Sequence, residues 1–342
     1  MLLPATMKAM VLTDHGGPDK YEWHEDWPTP LPGPREVVVR IGACGLNTTD
    51  VNTRTGWYGK TGWSGRPVRF PLIQGADAVG TIAAVGDSTD PSLIGKRVMI
   101  DGWQRDWKAP EDMNRARYFG SECDGGFAEY ARVDPRNMMI VDSHLSDAEL
   151  ATFQCSYTTA EAMLARADVG SGDTVLVPGA SGGVGGALVQ LSKRRGARVI
   201  ALASEDKHSA IRALKPDLIL PRAPDDLRAA LEGEAVTVVA DVVAGPLWPQ
   251  LIDVLERGGR YVCSGAIGGP NVTLDLRQVY LRDLTLLGST VIPPNIFADV
   301  VTYIERGEIK PLLAATYPLR DLIAAQTAFE EKRHVGNIVV VP

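Results

Sequence analysis

The chain has 342 residues, 45% apolar and 23% charged, which is the make-up of a soluble globular protein with room for two domains. A net charge of −7 gives no electrostatic reason to expect nucleic acid or an anionic membrane as partner, and no apolar run is long enough to span a bilayer. The start, Met1 to Lys8, is too short and too weakly apolar for a secretory signal, and Cys44, Cys123, Cys155 and Cys263 show no pair spacing, so a reducing cytoplasm is expected.

In the first part of the chain, short strands alternate with Gly and Pro clusters. They fall at Ala9–Leu12, Glu36–Ile41, Ala78–Val85, Arg97–Ile100 and Phe127–Ala131. This pattern predicts an all-β body of barrel type. Ser146–Ala167 reads as one helix, with Ser146 as N-cap and Glu149 completing a capping box. From Asp173 the pattern becomes strand–helix–strand, with strands at Thr174–Val177, Arg198–Ala203, Leu218–Leu220, Thr237–Asp241, Gly259–Ser264 and Leu284–Ser289. Such alternation predicts an α/β, doubly wound parallel sheet. The C-terminal part holds one amphipathic helix, Ile296–Arg306, and a final strand, Asn337–Val341.

The junction after Thr174–Val177 carries the most chemistry. Pro178 is followed by Gly179-Ala-Ser-Gly182-Gly-Val-Gly185 and then by the apolar helix segment Ala187–Ser192. A buried strand, a Gly-rich turn and a helix open a dinucleotide-binding βαβ unit. Gly179 and Gly182 let the backbone turn tightly and approach a pyrophosphate, and Gly185 lets the helix pack on the strand. The N–H groups near Gly183, Val184 and Gly185 face an anion with the helix dipole behind them. Gly179, Ala180, Ser181, Gly182, Gly183, Val184 and Gly185 are therefore cofactor-binding candidates.

Further motifs lie on either side. They are Ala43-Cys-Gly-Leu-Asn-Thr-Thr-Asp50, Arg54-Thr-Gly56, Gly75-Ala-Asp-Ala-Val-Gly80, Gly125-Gly-Phe-Ala-Glu-Tyr130, Asp241-Val-Val-Ala-Gly245, Gly258-Gly-Arg-Tyr-Val262, Gly307-Glu-Ile-Lys-Pro311 and His334-Val-Gly-Asn-Ile-Val339. With the Gly-rich turn they span nearly the whole chain, and together they resemble the medium-chain dehydrogenase/reductase superfamily, in its zinc-free quinone oxidoreductase and enoyl reductase branch. The resemblance implies a GroES-like β domain from residues 1–156 and 291–342, a Rossmann domain from residues 157–290, and a substrate cleft between them.

Zinc alcohol dehydrogenases of that superfamily place Cys, His and Cys at the positions of Asn47, Ala76 and Cys155, with a supporting Glu at Asp77. Catalytic zinc needs about three N or S ligands and an open position. Only Cys155 remains, and residues 102–122 hold no cysteine for a structural zinc lobe. No metal is expected. An NAD-dependent Rossmann domain ends its second strand on an acid for the ribose 2′-OH. Here that place falls on Ala203 or Ser204, with Lys207 nearby, which suits the 2′-phosphate of NADPH, although Glu205 leaves NADH open. Family resemblance adds Val243, Ser264, Gly265 and Ala266 near the ribose and nicotinamide. Relatives often carry a Lys near the phosphate at the position of Asn337.

Without metal, a developing oxyanion needs hydrogen-bond donors. Asn47 offers an amide at the vacated ligand position, Thr49 matches a proton-relay hydroxyl, and Tyr58 is a candidate proton donor, since the Tyr that relatives carry at Asn52 is missing. Asp50 and Arg54 are expected to pair as a structural salt bridge. Trp57, Tyr58, Trp63, Arg66 and Arg69, with Trp103, Arg105 and Trp107, gather aromatics and arginines in predicted loops. They either line a pocket for a planar or aromatic small molecule or cover one another. The leading reading is an NADPH-dependent reductase of quinones or α,β-unsaturated carbonyls. The alternatives are a zinc-type alcohol or aldehyde dehydrogenase with atypical ligands and a non-catalytic NADPH-binding protein of crystallin type. An uncharged, β-rich Leu284–Thr290 segment predicts a homodimer joined at the sheet edge.

Overall fold

A computed structural model describes residues 3–59 and 67–342. The chain divides into two units, Met1–Cys155 with Phe297–Pro342, and Ser156–Ile296. The expected limits of the middle segment, 157 and 290, lie just inside the second unit.

The first unit is built on mainly antiparallel sheets, with one parallel pair, Leu313–Pro318 beside Asn337–Val341. The larger runs Met138–Ile140, Arg97–Ile100, Asp77–Val85, Val37–Gly45, Asn337–Val341 and Leu313–Pro318, with Tyr130–Val133 also pairing to Val37–Gly45. Val37–Gly45 is buried along nearly its whole length because it has partners on both sides, and its Val37, Val39 and Ile41 join Phe127 and Ile338 in the core. The smaller sheet orders Tyr21–Pro28, Thr6–Leu12 and Leu72–Ile73. Tyr21–Pro28 has no counterpart among the predicted strands. It is an edge strand with one partner, so Glu22, Glu25 and Asp26 sit in solvent and mask the alternation. Phe127–Ala131 was expected as a strand; the strand is Tyr130–Val133, because Phe127 is tied by its backbone to Gln74 and Met10.

Two further departures concern helices. The capping box forms as expected, with Ser146 N–H donating to Glu149 Oε2 at 2.8 Å and Glu149 N–H to Ser146 Oγ at 3.2 Å. The helix then breaks into Asp147–Leu150 and Gln154–Arg166. The Thr152 hydroxyl and N–H both turn back to Glu149 O, closing a tight turn instead of continuing the α-helix. Past Pro294–Glu305 the chain adds a strand, Leu313–Pro318, and a helix, Leu322–Glu330, so the tail is not one helix and one strand. Small residues make that strand faint in the sequence, and the helix face of Leu322, Ala325, Gln326 and Phe329 carries a buried polar residue.

The second unit is a six-stranded parallel sheet ordered Leu218–Pro221, Arg198–Ala203, Thr174–Val177, Val236–Asp241, Leu255–Cys263 and Thr285–Gly288. All six predicted strands are present, and two keep their predicted bounds. In chain order this is 3-2-1-4-5-6, so the direction of winding reverses between Thr174–Val177 and Val236–Asp241. Ligands of such sheets bind beyond the carboxyl ends of the strands at that reversal. No helix among the described residues is long and apolar enough to cross a membrane.

Candidate functional site: a dinucleotide cradle and a buried donor cluster

The Gly-rich turn sits at the winding reversal. Gly179 has φ +66°, a left-handed conformation that favours glycine, and a Cβ there would come within 2.8 Å of Val243 Cγ2. At Gly185 a Cβ would collide with Gly179 O, so this glycine is what lets the helix Gly183–Arg194 lie against the turn. Gly182 caps that helix without a side-chain hydrogen bond, and a Cβ on it would reach only Gly179 O, at 3.6 Å. The N–H groups of Gly183, Val184 and Gly185 begin the helix and have no carbonyl of the helix itself to bond, so an anion can take them. Ala180 is buried, while Ser181 is half-buried at the rim. This backbone fits a pyrophosphate.

The second strand ends at Ala203, which is buried, and Ser204 starts the short turn that carries Lys207. His208 Nε2 lies 3.0 Å from Ala203 O and tacks the turn down. Burial holds the Lys207 ammonium below its usual pKa against the opposing Asp206 charge, and the Arg222 charge beyond Pro221 pushes it down as well. Arg222 therefore joins Ser204 and Lys207 at one end of the cradle, where no sequence motif pointed to it. On the other side lie Val243 and the turn Ser264, Gly265 and Ala266. Gly268 N–H donates to Val243 O at 2.7 Å and Ser264 N–H to Asp241 O at 3.2 Å. Asn337 belongs to the other unit, buried at the start of the final strand.

The second site lies within the first unit, around the helix Thr48–Thr55. Asn47 is its N-cap residue, and Asp50 reaches back to accept the Asn47 N–H at 2.8 Å. Asp50 is thus spent on the helix start, and the expected pairing with Arg54 does not form. Arg54, itself buried, donates to Gly16 O at 2.9 Å, Gln326 Oε1 at 3.1 Å and the Glu330 carboxylate at 3.2 Å. Past the helix, Asn52 Nδ2 donates to the Tyr58 hydroxyl at 3.2 Å, and Thr49 also hydrogen-bonds that hydroxyl. Tyr118, which carried no motif, places its hydroxyl 3.5 Å from Cys155 Sγ. The break after Leu150 makes Cys155 N–H a first-turn donor, and Asp77 Oδ1 accepts it at 2.9 Å.

Burial raises the pKa of four groups here, Asp77, Asp50, Tyr58 and Tyr118, and so favours their protonated forms. Asp77 is pushed up to about 7, against the pull of the Asn47 amide and the Cys155 N–H. Burial pushes Asp50 to about 8, with the Asp77 charge adding to it, and Tyr58 to about 12. Tyr118 is raised well above the usual phenol range, again by burial. Asn47, Thr49 and Tyr58 are therefore brought together among neutral donors. Trp57 is 54% exposed, and Trp63 and Arg66 lie outside the described residues. Trp103 is buried edge-on to Tyr118, Arg105 is buried, and Trp107 Nε1 donates to Asn137 Oδ1 at 2.7 Å, so this second group packs as a covering loop.

The donor set does not fit a catalytic zinc. The Asn47 amide nitrogen is 3.5 Å from Gly45 O, Ala76 has no donor atom, and among the described residues no three His, Cys, Asp or Glu side chains converge as a metal site.

A doubly wound sheet with this cradle at its winding reversal defines a dinucleotide-binding protein. The "Alcohol dehydrogenase GroES-like domain" family matches residues 33–143 and the "Zinc-binding dehydrogenase" family matches residues 217–340. A solved structure from Sinorhizobium meliloti 1021, provisionally assigned as an alcohol dehydrogenase, is 43% identical, covers 99% of this chain and 98% of its own, and superposes with a TM-score of 0.94. Acryloyl-coenzyme A reductase of Sulfurisphaera tokodaii is 28% identical over 98% of this chain and all of its own, and the quinone oxidoreductase of Homo sapiens is 24% identical over 93% and 92%. The chain belongs to the medium-chain dehydrogenase/reductase superfamily. It is an NAD(P)H-dependent oxidoreductase with a Rossmann unit and a GroES-like unit.

The buried acids predict a pH signature. Asp77 keeps its proton in the folded protein up to about pH 7, whereas an unfolded Asp loses it near about 4. Stability therefore falls as pH rises through that window. In Asp77→Asn, Oδ1 still accepts from Cys155 and no ionisation remains. Urea unfolding is expected to show the variant on the order of 4 kcal/mol more stable relative to the parent at pH 8 than at pH 4. A constant difference across that range would refute the assignment.

Proposed function

We propose that the protein reduces a quinone or an α,β-unsaturated carbonyl compound without a metal ion, drawing hydride from NADPH. The observation that carries this reading is the donor cluster: beside Asn47 and Ala76, where the family resemblance places two metal ligands of the zinc enzymes, Thr49, Asn52 and Tyr58 share hydrogen bonds among groups whose pKa burial raises. The nicotinamide supplies the hydride. Negative charge then grows on the substrate oxygen, and the Asn47 amide N–H stabilises it. Tyr58, which holds its proton far above neutral pH, donates the proton that completes the reduction, and Thr49 resupplies it. The named substrates of two relatives, a quinone and acryloyl-coenzyme A, both carry oxygen conjugated to a carbon–carbon double bond.

NADPH and NADH oxidation measured against quinones, enones, enoyl thioesters, aldehydes and alcohols, with zinc measured on the same sample, tests the reading. Asn47→Ala and Tyr58→Phe are each expected to slow the hydride-transfer reaction roughly tenfold to a thousandfold with little change in cofactor affinity. Stoichiometric zinc with activity lost to a chelator, or full activity in both variants, would overturn it.

The preference for NADPH rests on Ser204, Lys207 and Arg222 at the end of the second and third strands, where the strand-end residues Ala203 and Ser204 are not acidic, although Glu205 and Asp206 follow in the same turn. Lys207→Ala is expected to weaken NADPH by about 1–2 kcal/mol and leave NADH nearly unchanged. Equal affinity of the parent protein for both cofactors would count against the preference.

A homodimer through Thr285–Gly288 belongs to the same proposal. That strand is the sheet's outer edge, and Leu286, Leu276, Tyr280 and Leu281 leave apolar surface exposed beside it. Antiparallel pairing of two copies about a two-fold axis would continue the sheet and cover these side chains. Light scattering at micromolar concentration should give the mass of two chains; a single-chain mass would exclude the pairing.

A further inference from the structure

The strand Val236–Asp241 runs into a turn that the backbone does not adopt freely. Ala244 has φ 54° and ψ −135°, a region in which a Cβ crowds the main chain and which glycine alone enters easily. Two side chains hold it there. The buried Asp241 carboxylate accepts the Val243 N–H at 2.7 Å and the Ala244 N–H at 3.1 Å on both oxygens. Tyr261, on the neighbouring strand Leu255–Cys263, donates its hydroxyl to Asp241 Oδ2 at 2.8 Å. The turn is also laced to the one after that strand, with Gly268 N–H on Val243 O at 2.7 Å and Gly245 N–H on Gly269 O at 3.2 Å. The approach is so close that a Cβ on Gly245 would collide with Gly268 O.

The strain fixes Val243. Its Cγ2 stands where a Cβ on Gly179 would lie 2.8 Å away, so the side chain is set against the first turn of the cradle. Across the sheet, the ends of the second and third strands carry Ser204, Lys207 and Arg222, and the pyrophosphate cradle lies over the first strand. The remaining half of a bound dinucleotide therefore extends toward the fourth and fifth strands, where Val243 and the Ser264 turn stand.

We propose that Asp241 and Tyr261 are positioning residues, which hold the strained Val243–Ala244 turn and the 264–268 turn as one preset seat for the nicotinamide half of the cofactor. This rests on the dinucleotide reading of the cradle and adds to it a specific role for strain. A turn needed only to connect two elements would be served better by glycine at position 244. A turn held in one conformation before the cofactor arrives spares the ordering cost at binding.

The two roles predict opposite signs in one variant. Ala244→Gly relieves the strain, so its Tm should rise, while the freed turn should weaken the preferred dinucleotide at least about fivefold and lower kcat. Binding of the matching adenine fragment, adenosine 2′,5′-bisphosphate for NADPH or ADP for NADH, should not change. Tyr261→Phe should weaken the dinucleotide likewise, but with a lower Tm. Fluorescence titration with NADPH, NADH and the fragments, beside thermal unfolding, reads all of these. An Ala244→Gly protein that binds dinucleotide as tightly as the parent, or that loses the fragment in equal measure, overturns the positioning role. A parent that binds neither NADPH nor NADH overturns the cradle itself, and the positioning role with it.

Discussion

The N–H groups that every helix leaves unpaired at its start decide where both sites of this protein lie. In the first unit the chain satisfies them with its own carboxylates: Asp50 takes the Asn47 N–H, and Asp77 takes the Cys155 N–H. In the second unit Gly182 offers no side chain, and the first turn of the Gly183–Arg194 helix is left for a ligand. The same demand is met from within at one place and from a cofactor at the other. The first solution fixes a donor cluster, and the second leaves a binding site.

Satisfying helix starts with buried acids has an electrostatic consequence. Two carboxyls so close together in a dry interior resist ionisation, and the phenols of Tyr58 and Tyr118 are pushed further the same way. The cluster is therefore rich in protons and poor in charge. On the proposed reading, such a cluster suits a reaction in which negative charge appears only transiently on a substrate oxygen, because donors already in place need not reorganise to meet it.

The helix bearing Asn47 and Thr49 is held from remote parts of the chain. Gln74 Nε2 donates to Asp50 O at 3.0 Å, the Thr53 hydroxyl meets Ser121 Oγ at 2.7 Å, and Gly16 N–H bonds Arg54 O at 2.8 Å. Tyr21 links Gln74 to Gln326, and Gln326 accepts from Arg54. Arg54 is 2% exposed, and a buried guanidinium is tolerable only with its donors filled, as they are here by Gly16, Gln326 and Glu330. The tail helix Leu322–Glu330 thus belongs to the donor site as a support.

The second unit and its cradle were legible in the sequence because local signals agree there. Strand-length apolar runs, glycines at fixed offsets and a helix that follows directly all act within a few residues of one another, so Thr174–Val177 and Arg198–Ala203 could be bounded without tertiary knowledge. The neutral character of the donor site was half legible, since Asn47 and Ala76 are visible as residues lacking a thiolate or an imidazole. What the sequence could not supply were partners set by long-range packing. Asp50 turned to the helix start and left Arg54 to residues near both chain ends. Tyr118 met Cys155 only after the predicted single helix broke at Ala151–Phe153, and Arg222 reached Lys207 through sheet pairing of Ala203 with Pro221. Periodicity and turn chemistry are properties of neighbours along the chain, and they determined the elements and the cradle. Burial and pairing are properties of neighbours in space, and they alone decided which side chains share a proton, a charge or a strained turn.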